Sequence, residues 1–167
     1  AAYLDWHRSG PFDCGITIGS ALAGTLVPGS QSNGSLMRVT PLALAGWRLA
    51  PSALAEMARA DAGLTHLDPV PADANAAFSI ALAHLVRTGE SGEAACDAAL
   101  AWARAVEAAS AVIEDLERAS EGWTEPFTRN AGWVRIAFRN AFHHLLRTAS
   151  FEEALVRTIG QGGDTDT

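Results

Sequence analysis

Apolar side chains at 74, 77, 78, 81, 82 and 85 keep the i, i+3, i+4, i+7 spacing that lays one stripe along a helix. Residues 132–147 repeat the pattern: Ala137, Phe138, Ala141, Phe142 and Leu145 continue a face begun at Val134. No stretch reads as a convincing strand, and no internal repeat is present. Alanine, the best helix former, dominates the apolar residues, and β-branched residues are sparse. The chain therefore reads as all-α. Its 167 residues form a single domain, 1–167, long enough for a real core.

Proline, glycine and capping residues divide this helical sequence. Residues 9–13 read as an irregular loop, followed by a helix from about Cys14 to Ala23. Residues 24–35, rich in Gly, Ser, Pro, Asn and Gln, form a loop. Thr40-Pro41 opens a helix through Leu49, and Pro51-Ser52 opens one ending near Ala62-Gly63. Residues 64–73 form a second polar loop pinned by prolines. Ser91 caps the next helical stretch, in which no breaker appears up to about Ala119. It reads as one long helix or as two with a kink. Ser150-Phe151-Glu152-Glu153 is a capping box that starts the last helix, which runs into Gly162-Gly163. Arg135, Arg139, His143 and Arg147 fall four apart and read as a solvated basic stripe.

The formal net charge of -7 argues against a nucleic-acid surface. Cys14 and Cys96 are far apart and lack CxxC spacing, so a reducing cytoplasm is the default and no disulfide is expected. The N-terminus has neither the basic start nor the apolar run of a signal peptide. No stretch of about 18 residues is apolar enough to span a bilayer. The chain starts without methionine, which fits an internal fragment. Loss of preceding helices would then expose part of the face built on Phe138 and Phe142.

Four short segments carry candidate chemistry. Gly162-Gly163-Asp164-Thr165-Asp166-Thr167 brings two carboxylates and hydroxyls together after two glycines. Such hard oxygens suit Mg²⁺, Mn²⁺ or Ca²⁺, although Asp and Thr also serve ordinary caps and turns. Asp13 precedes Gly15 and reads either as a cap or as a catalytic acid. Small residues from Gly29 to Ser35 lead into a helix, where backbone N–H groups can approach an anion. The run is not a Walker A loop, since no Lys-Ser/Thr follows the glycines. His66, beside a proline-fixed turn, reads as a structural hydrogen-bonder or a ligand contact. No second histidine lies at zinc spacing.

In order along the chain come Ser9-Gly10-Pro11-Phe12-Asp13-Cys14-Gly15, Asn33-Gly34-Ser35-Leu36-Met37-Arg38-Val39-Thr40-Pro41-Leu42 and Leu64-Thr65-His66 with Asp68-Pro69. Gly132-Trp133-Val134, Ser150-Phe151-Glu152-Glu153-Ala154 and the Gly162–Thr167 tail follow. This succession, from Tyr3 to Thr167, resembles the ADP-ribosylglycohydrolase family, of the dinitrogenase-reductase-activating type. The resemblance implies a compact orthogonal multi-helix bundle, here incomplete, with two Mg²⁺ or Mn²⁺ ions in a cleft. It implies hydrolysis of the glycosidic bond joining ADP-ribose to a side chain, arginine in many members. By that likeness Asp13, Asp164 and Asp166 are catalytic, and Asp164, Asp166 and Thr167 are metal ligands. Gly29, Ser30, Gln31, Asn33 and His66 would contact the ligand.

Two departures shape the expectation. Family members supply the remaining metal ligands from a Thr-Asp-Asp-Thr word in an N-terminal helical segment, and these 167 residues contain none. The remaining ligands would come from a segment outside this chain or from a second polypeptide that completes the site. Ile16 stands where many members have Asn, which bears on preference for an arginine linkage. The substrate would be an ADP-ribosylated protein or a small ADP-ribosyl compound, with no nucleic-acid or membrane partner. The competing readings are an incomplete fragment or paralogue that only binds ADP-ribose, and a helical interaction module.

Overall fold

The computed structural model describes residues 2–165. In these it is all-α, with helices α1 (Ala2–Arg8), α2 (Ile16–Leu22), α3 (Thr40–Ala45), α4 (Pro51–Gly63) and α5 (Pro69–Thr88). Then come α6 (Gly92–Ala105), α7 (Ser110–Glu117), α8 (Val134–Arg147) and α9 (Phe151–Gly160), with 3-10 turns at Asn33–Arg38 and Ala119–Glu121. Among the described residues, extended pairing is confined to two isolated bridges, Val27 with His66 and Ser32 with Trp133. No helix among them is long and apolar enough to cross a membrane.

The core is organised around α5. This helix begins five residues before its apolar pattern, because Asp68 accepts from the Val70 N–H at 2.9 Å and Pro69 sits in the first turn. It ends where Gly89 turns left-handed at φ 67. Its apolar spacing suggests one buried face, yet Val70, Ala74, Ala76, Ala77, Ile80, Ala81 and Ala83 are buried all around it. The reason is contact with α3, α4, α6, α7 and α8 together, which small alanines allow at close range.

The stretch from Gly92 to Ala119 breaks in two without glycine or proline. Glu107 adopts a left-handed φ of 51, and the Ala109 N–H donates to buried Asp73 of α5 at 2.7 Å. A side chain from a neighbouring helix thus supplies the start of α7.

The face of α8 built on Phe138 and Phe142 is buried, contrary to the exposure expected from lost helices. The two rings pack with centroids 4.9 Å apart beneath α5 and α6. The apolar surface lies elsewhere: α1 and α9 bury no residue, and Phe12, Ile16, Phe151 and Val156 are exposed.

The basic stripe is solvated only at its end: Arg147 is exposed, whereas Arg135 and His143 are half-buried and Arg139 is buried. Arg135 forks onto the buried Asp115 carboxylate at 2.7 and 2.8 Å and reaches Glu114 at 2.9 Å. Arg139 is buried and donates to the Arg118 carbonyl at 3.0 Å. His143 donates to the Ala119 carbonyl and Arg147 to that of Ser120. Four-residue spacing marks this face as a seam against α7 and the 119–121 turn, whose end carbonyls need donors.

Candidate active site

The segment 27–33 is threaded between two anchors. Asn33 N–H donates to the Gly132 carbonyl, and Val134 N–H to the Gln31 carbonyl, both at 2.9 Å. Gln31 continues the brace with its side chain. Its amide accepts from the Trp133 indole at 2.9 Å and donates to Asp68 at 3.1 Å. Trp133 lies under the Arg135 guanidinium, 5.3 Å from its ring centre, so the buried Arg135–Asp115 pair backs the same loop.

On the other side stands His66, 1% exposed, with Nε2 at 2.7 Å from the Ser32 hydroxyl and Nδ1 at 2.8 Å from that of Thr65. Arg38 donates to Thr65 Oγ1 at 3.0 Å, so the Thr65 hydroxyl links the guanidinium to the imidazole. Burial, helped by the Arg38 charge, pulls the His66 pKa down to about 4. The ring is neutral at pH 7. Arg38 is itself fixed by Asp61, through Nε at 3.0 Å and the Asp61 carbonyl at 2.7 Å. Tyr3 of α1 joins this group, donating to Asp61 at 2.8 Å. The sequence reading did not single out Arg38 and Asp61 as supports. The signal was the arginine that ends the Asn33–Arg38 word.

The loop so held presents Asn33, whose amide donates to Asp164 Oδ2 at 2.6 Å across 131 positions of sequence. Gly132 is the third member of this contact, since a Cβ there would lie 3.7 Å from the Asp164 carboxylate. The tail approaches because Gly163, at φ +81, lies directly against the Phe127 carbonyl. A cavity of about 430 Å³ opens here, lined by Asp13, Thr17, Ser32, Asn33, Gly132 and Asp164 among others. A second, of about 200 Å³, shares Asn33 and Asp164 and continues along Asn140, Thr158 and Thr165.

The candidates of the sequence therefore separate. Asp13, Asn33 and Asp164 meet at one cavity. Gly29 forms a left-handed turn at φ 66, and Ser30 shares a 2.7 Å hydrogen bond with Thr17. Gly29, Ser30, Gln31 and His66 stand outside the cavity lining, the last two as braces of the loop. Asp166 and Thr167 lie outside the described residues. Among the described residues no group of three or more His, Cys, Asp or Glu is placed to hold a metal ion. Asp13 and Asp164 both offer hard carboxylates at the cavity, the donor type that Mg²⁺ and Mn²⁺ take.

Comparison with known proteins gives these residues a context. A solved structure described as an "ADP-ribosylglycohydrolase-related protein complex" has the same fold, with a TM-score of 0.80 and 26% identity. The alignment covers 99% of this chain and 56% of that one, so this chain spans little more than half of that relative. No curated protein matches the chain. The model of the ADP-ribosylglycohydrolase family matches residues 1–167. The match is to the family as a whole, and the chain belongs to the ADP-ribosylglycohydrolase family.

Proposed function

We propose that this chain carries the ADP-ribose side of a hydrolase that splits the glycosidic bond between ADP-ribose and a modified side chain, ADP-ribosylarginine or a related linkage. One observation carries the reading. Asp13, Asn33 and Asp164, from three distant parts of the sequence, line one cavity in a chain of this family.

Each residue has a task in that chemistry. Asn33 orients the Asp164 carboxylate and lends its amide to a bound hydroxyl or phosphate oxygen. Asp13, exposed at the cavity, takes a proton from water as the water oxygen bonds to the anomeric carbon. The glycosidic bond breaks, its electron pair stays with the leaving nitrogen or oxygen, and that atom gains a proton. Asp164, Asp166 and Thr167 would hold one or two divalent cations with ligands from further chain. A bound cation would orient the ribose hydroxyls and lower the pKa of its water. The two cysteines are free, in keeping with a reducing, cytoplasmic setting.

The test is chromatographic release of ADP-ribose from a mono-ADP-ribosylated arginine peptide in Mg²⁺. It is run on these 167 residues and on a longer chain containing them. Release that requires Mg²⁺ and is lost in Asp164→Asn supports the hydrolase. ADP-ribose binding without release from either chain would favour a binding-only paralogue.

A further inference from the structure

Tryptophan faces in this protein carry guanidinium groups. The Arg48 guanidinium carbon lies 4.6 Å from the centre of the Trp47 ring, and that of Arg59 lies 5.0 Å from the centre of Trp102. Arg135 serves Trp133 and Trp123, at 5.3 and 6.0 Å. Trp6 is the exception. Among the described residues, it alone of the five tryptophans has no arginine over its ring. It is 43% exposed, and it lines the Asp13–Asn33–Asp164 cavity.

Helix α1 is fixed on both sides of this ring. Tyr3, one turn before Trp6 on the same side of the helix, donates to Asp61 at 2.8 Å and takes Arg38 over its own ring at 4.9 Å. The Trp6 carbonyl accepts from the Ser9 hydroxyl at 2.6 Å, where the helix gives way to the 9–13 loop. The cavity around Trp6 has two characters. Ile16 and Met37 bring exposed apolar side chains. Asp13 and Asp164 bring carboxylates, and among the described residues no Lys, Arg or His lines the cavity. An open indole beside acidic groups, with no internal cation, favours a planar cation over a neutral group. Guanidinium is flat and weakly hydrated, and it stacks on aromatic faces.

We infer that Trp6 is a specificity-determining residue of this cavity: its ring receives the guanidinium of the ADP-ribosylated side chain, with Ile16 and Met37 beside the aliphatic stem. The inference rests on the reading of the cavity proposed above and narrows its substrate to a guanidinium-linked conjugate. A guanidinium joined to ADP-ribose through one nitrogen keeps its positive charge. A linkage through a serine oxygen brings no cation to the ring.

Two titrations test this. The first uses ethylguanidinium, with ethylurea as a neutral mimic of the same shape, and is followed by NMR of the Trp6 indole. Ethylguanidinium should shift Trp6 saturably and bind about two- to fivefold more tightly than ethylurea. The second is calorimetry with free ADP-ribose and with ADP-ribosylarginine and ADP-ribosylserine peptides of otherwise equal sequence. The preference for the arginine peptide should shrink about two- to fivefold in Trp6→Leu and less in Trp6→Phe, which keeps an aromatic face. Helix α1 buries no residue, so both variants should keep the parent circular dichroism. Equal binding of ethylguanidinium and ethylurea would overturn the assignment. So would an arginine preference absent from the parent or unchanged in Trp6→Leu. Tighter binding of AMP than of ethylguanidinium at Trp6 would also overturn it, making the ring a platform for a base. Failure of ADP-ribose to bind, with ethylguanidinium still shifting Trp6, would instead reject the ADP-ribose reading and uphold Trp6 as a guanidinium surface.

Discussion

Three glycines near the tail separate backbone strain from close contact, and their alanine variants should rank accordingly. At Gly160, the last residue of α9, a Cβ would meet nothing within 4 Å and φ is not positive. Gly160→Ala should be neutral or stabilise α9 by up to about 1 kcal/mol. At Gly162, φ is +70 and the nearest atom is Thr128 Cγ2 at 3.8 Å, so only conformational strain applies, roughly 1–2 kcal/mol. At Gly163, φ is +81 and a Cβ would lie 2.7 Å from the Phe127 carbonyl oxygen and 3.0 Å from its carbon. Backbone cannot swing aside as a side-chain end can, so overpacking adds about 1–3 kcal/mol to a similar strain. Because α9 buries no residue, the cost should appear as undocking of the tail rather than global unfolding. Hydrogen exchange read by mass spectrometry is the fitting assay. Gly163→Ala should lose protection at 127–133 and 161–165, with Asn33 released from Asp164, while Gly160→Ala keeps it. Equal protection in Gly163→Ala and Gly162→Ala would refute the contact argument.

Other outcomes follow from buried charge. Arg135→Met strands the Asp115 carboxylate, whose side chain is 0% exposed, and should cost about 3–5 kcal/mol in urea unfolding. Burial already raises the Asp115 pKa, so its ionised form destabilises the fold as pH rises through that raised value. Acidification should therefore restore part of the loss in Arg135→Met. His66 runs in the opposite direction. Its folded pKa is about 4 against an unfolded value near 6.5, so the neutral ring's contribution is complete above about 6.5. That contribution is lost as pH falls toward 4 and amounts to at most about 3 kcal/mol. The urea midpoint should fall over that window in the parent and flatten in His66→Gln.

Helix identity was legible in the sequence wherever a local device set it. Pro51, Ser91 and Ser150 start helices in the structure as their chemistry demands. What the sequence hid was set by distant partners. The α6–α7 break depends on Asp73, thirty-six positions away from Ala109. The arginine stripe of α8 depends on acceptors in another segment, since periodicity shows which residues share a face but not what covers it. Helix α1 carries no apolar stripe to announce it, since its seven residues present no buried face, and Tyr3 ties it to Asp61 instead. At the site, the family resemblance grouped Asp13, Asn33 and Asp164, which residue types alone did not. It could not separate Asn33, which faces the cavity, from Gln31 and His66, which hold the loop from behind.

The central claim is that the cavity of Asp13, Asn33 and Asp164 receives ADP-ribose, and calorimetric titration with ADP-ribose tests it most directly. The account predicts saturable binding that Asn33→Ala weakens by about 1–3 kcal/mol, roughly 5- to 150-fold, with an unchanged unfolding midpoint. His66→Ala should weaken binding as well, but with a lowered midpoint, because it supports Ser32 from inside the fold. ADP-ribose affinity unchanged in Asn33→Ala, with folding intact by circular dichroism, would contradict the claim and leave a helical interaction module as the better description.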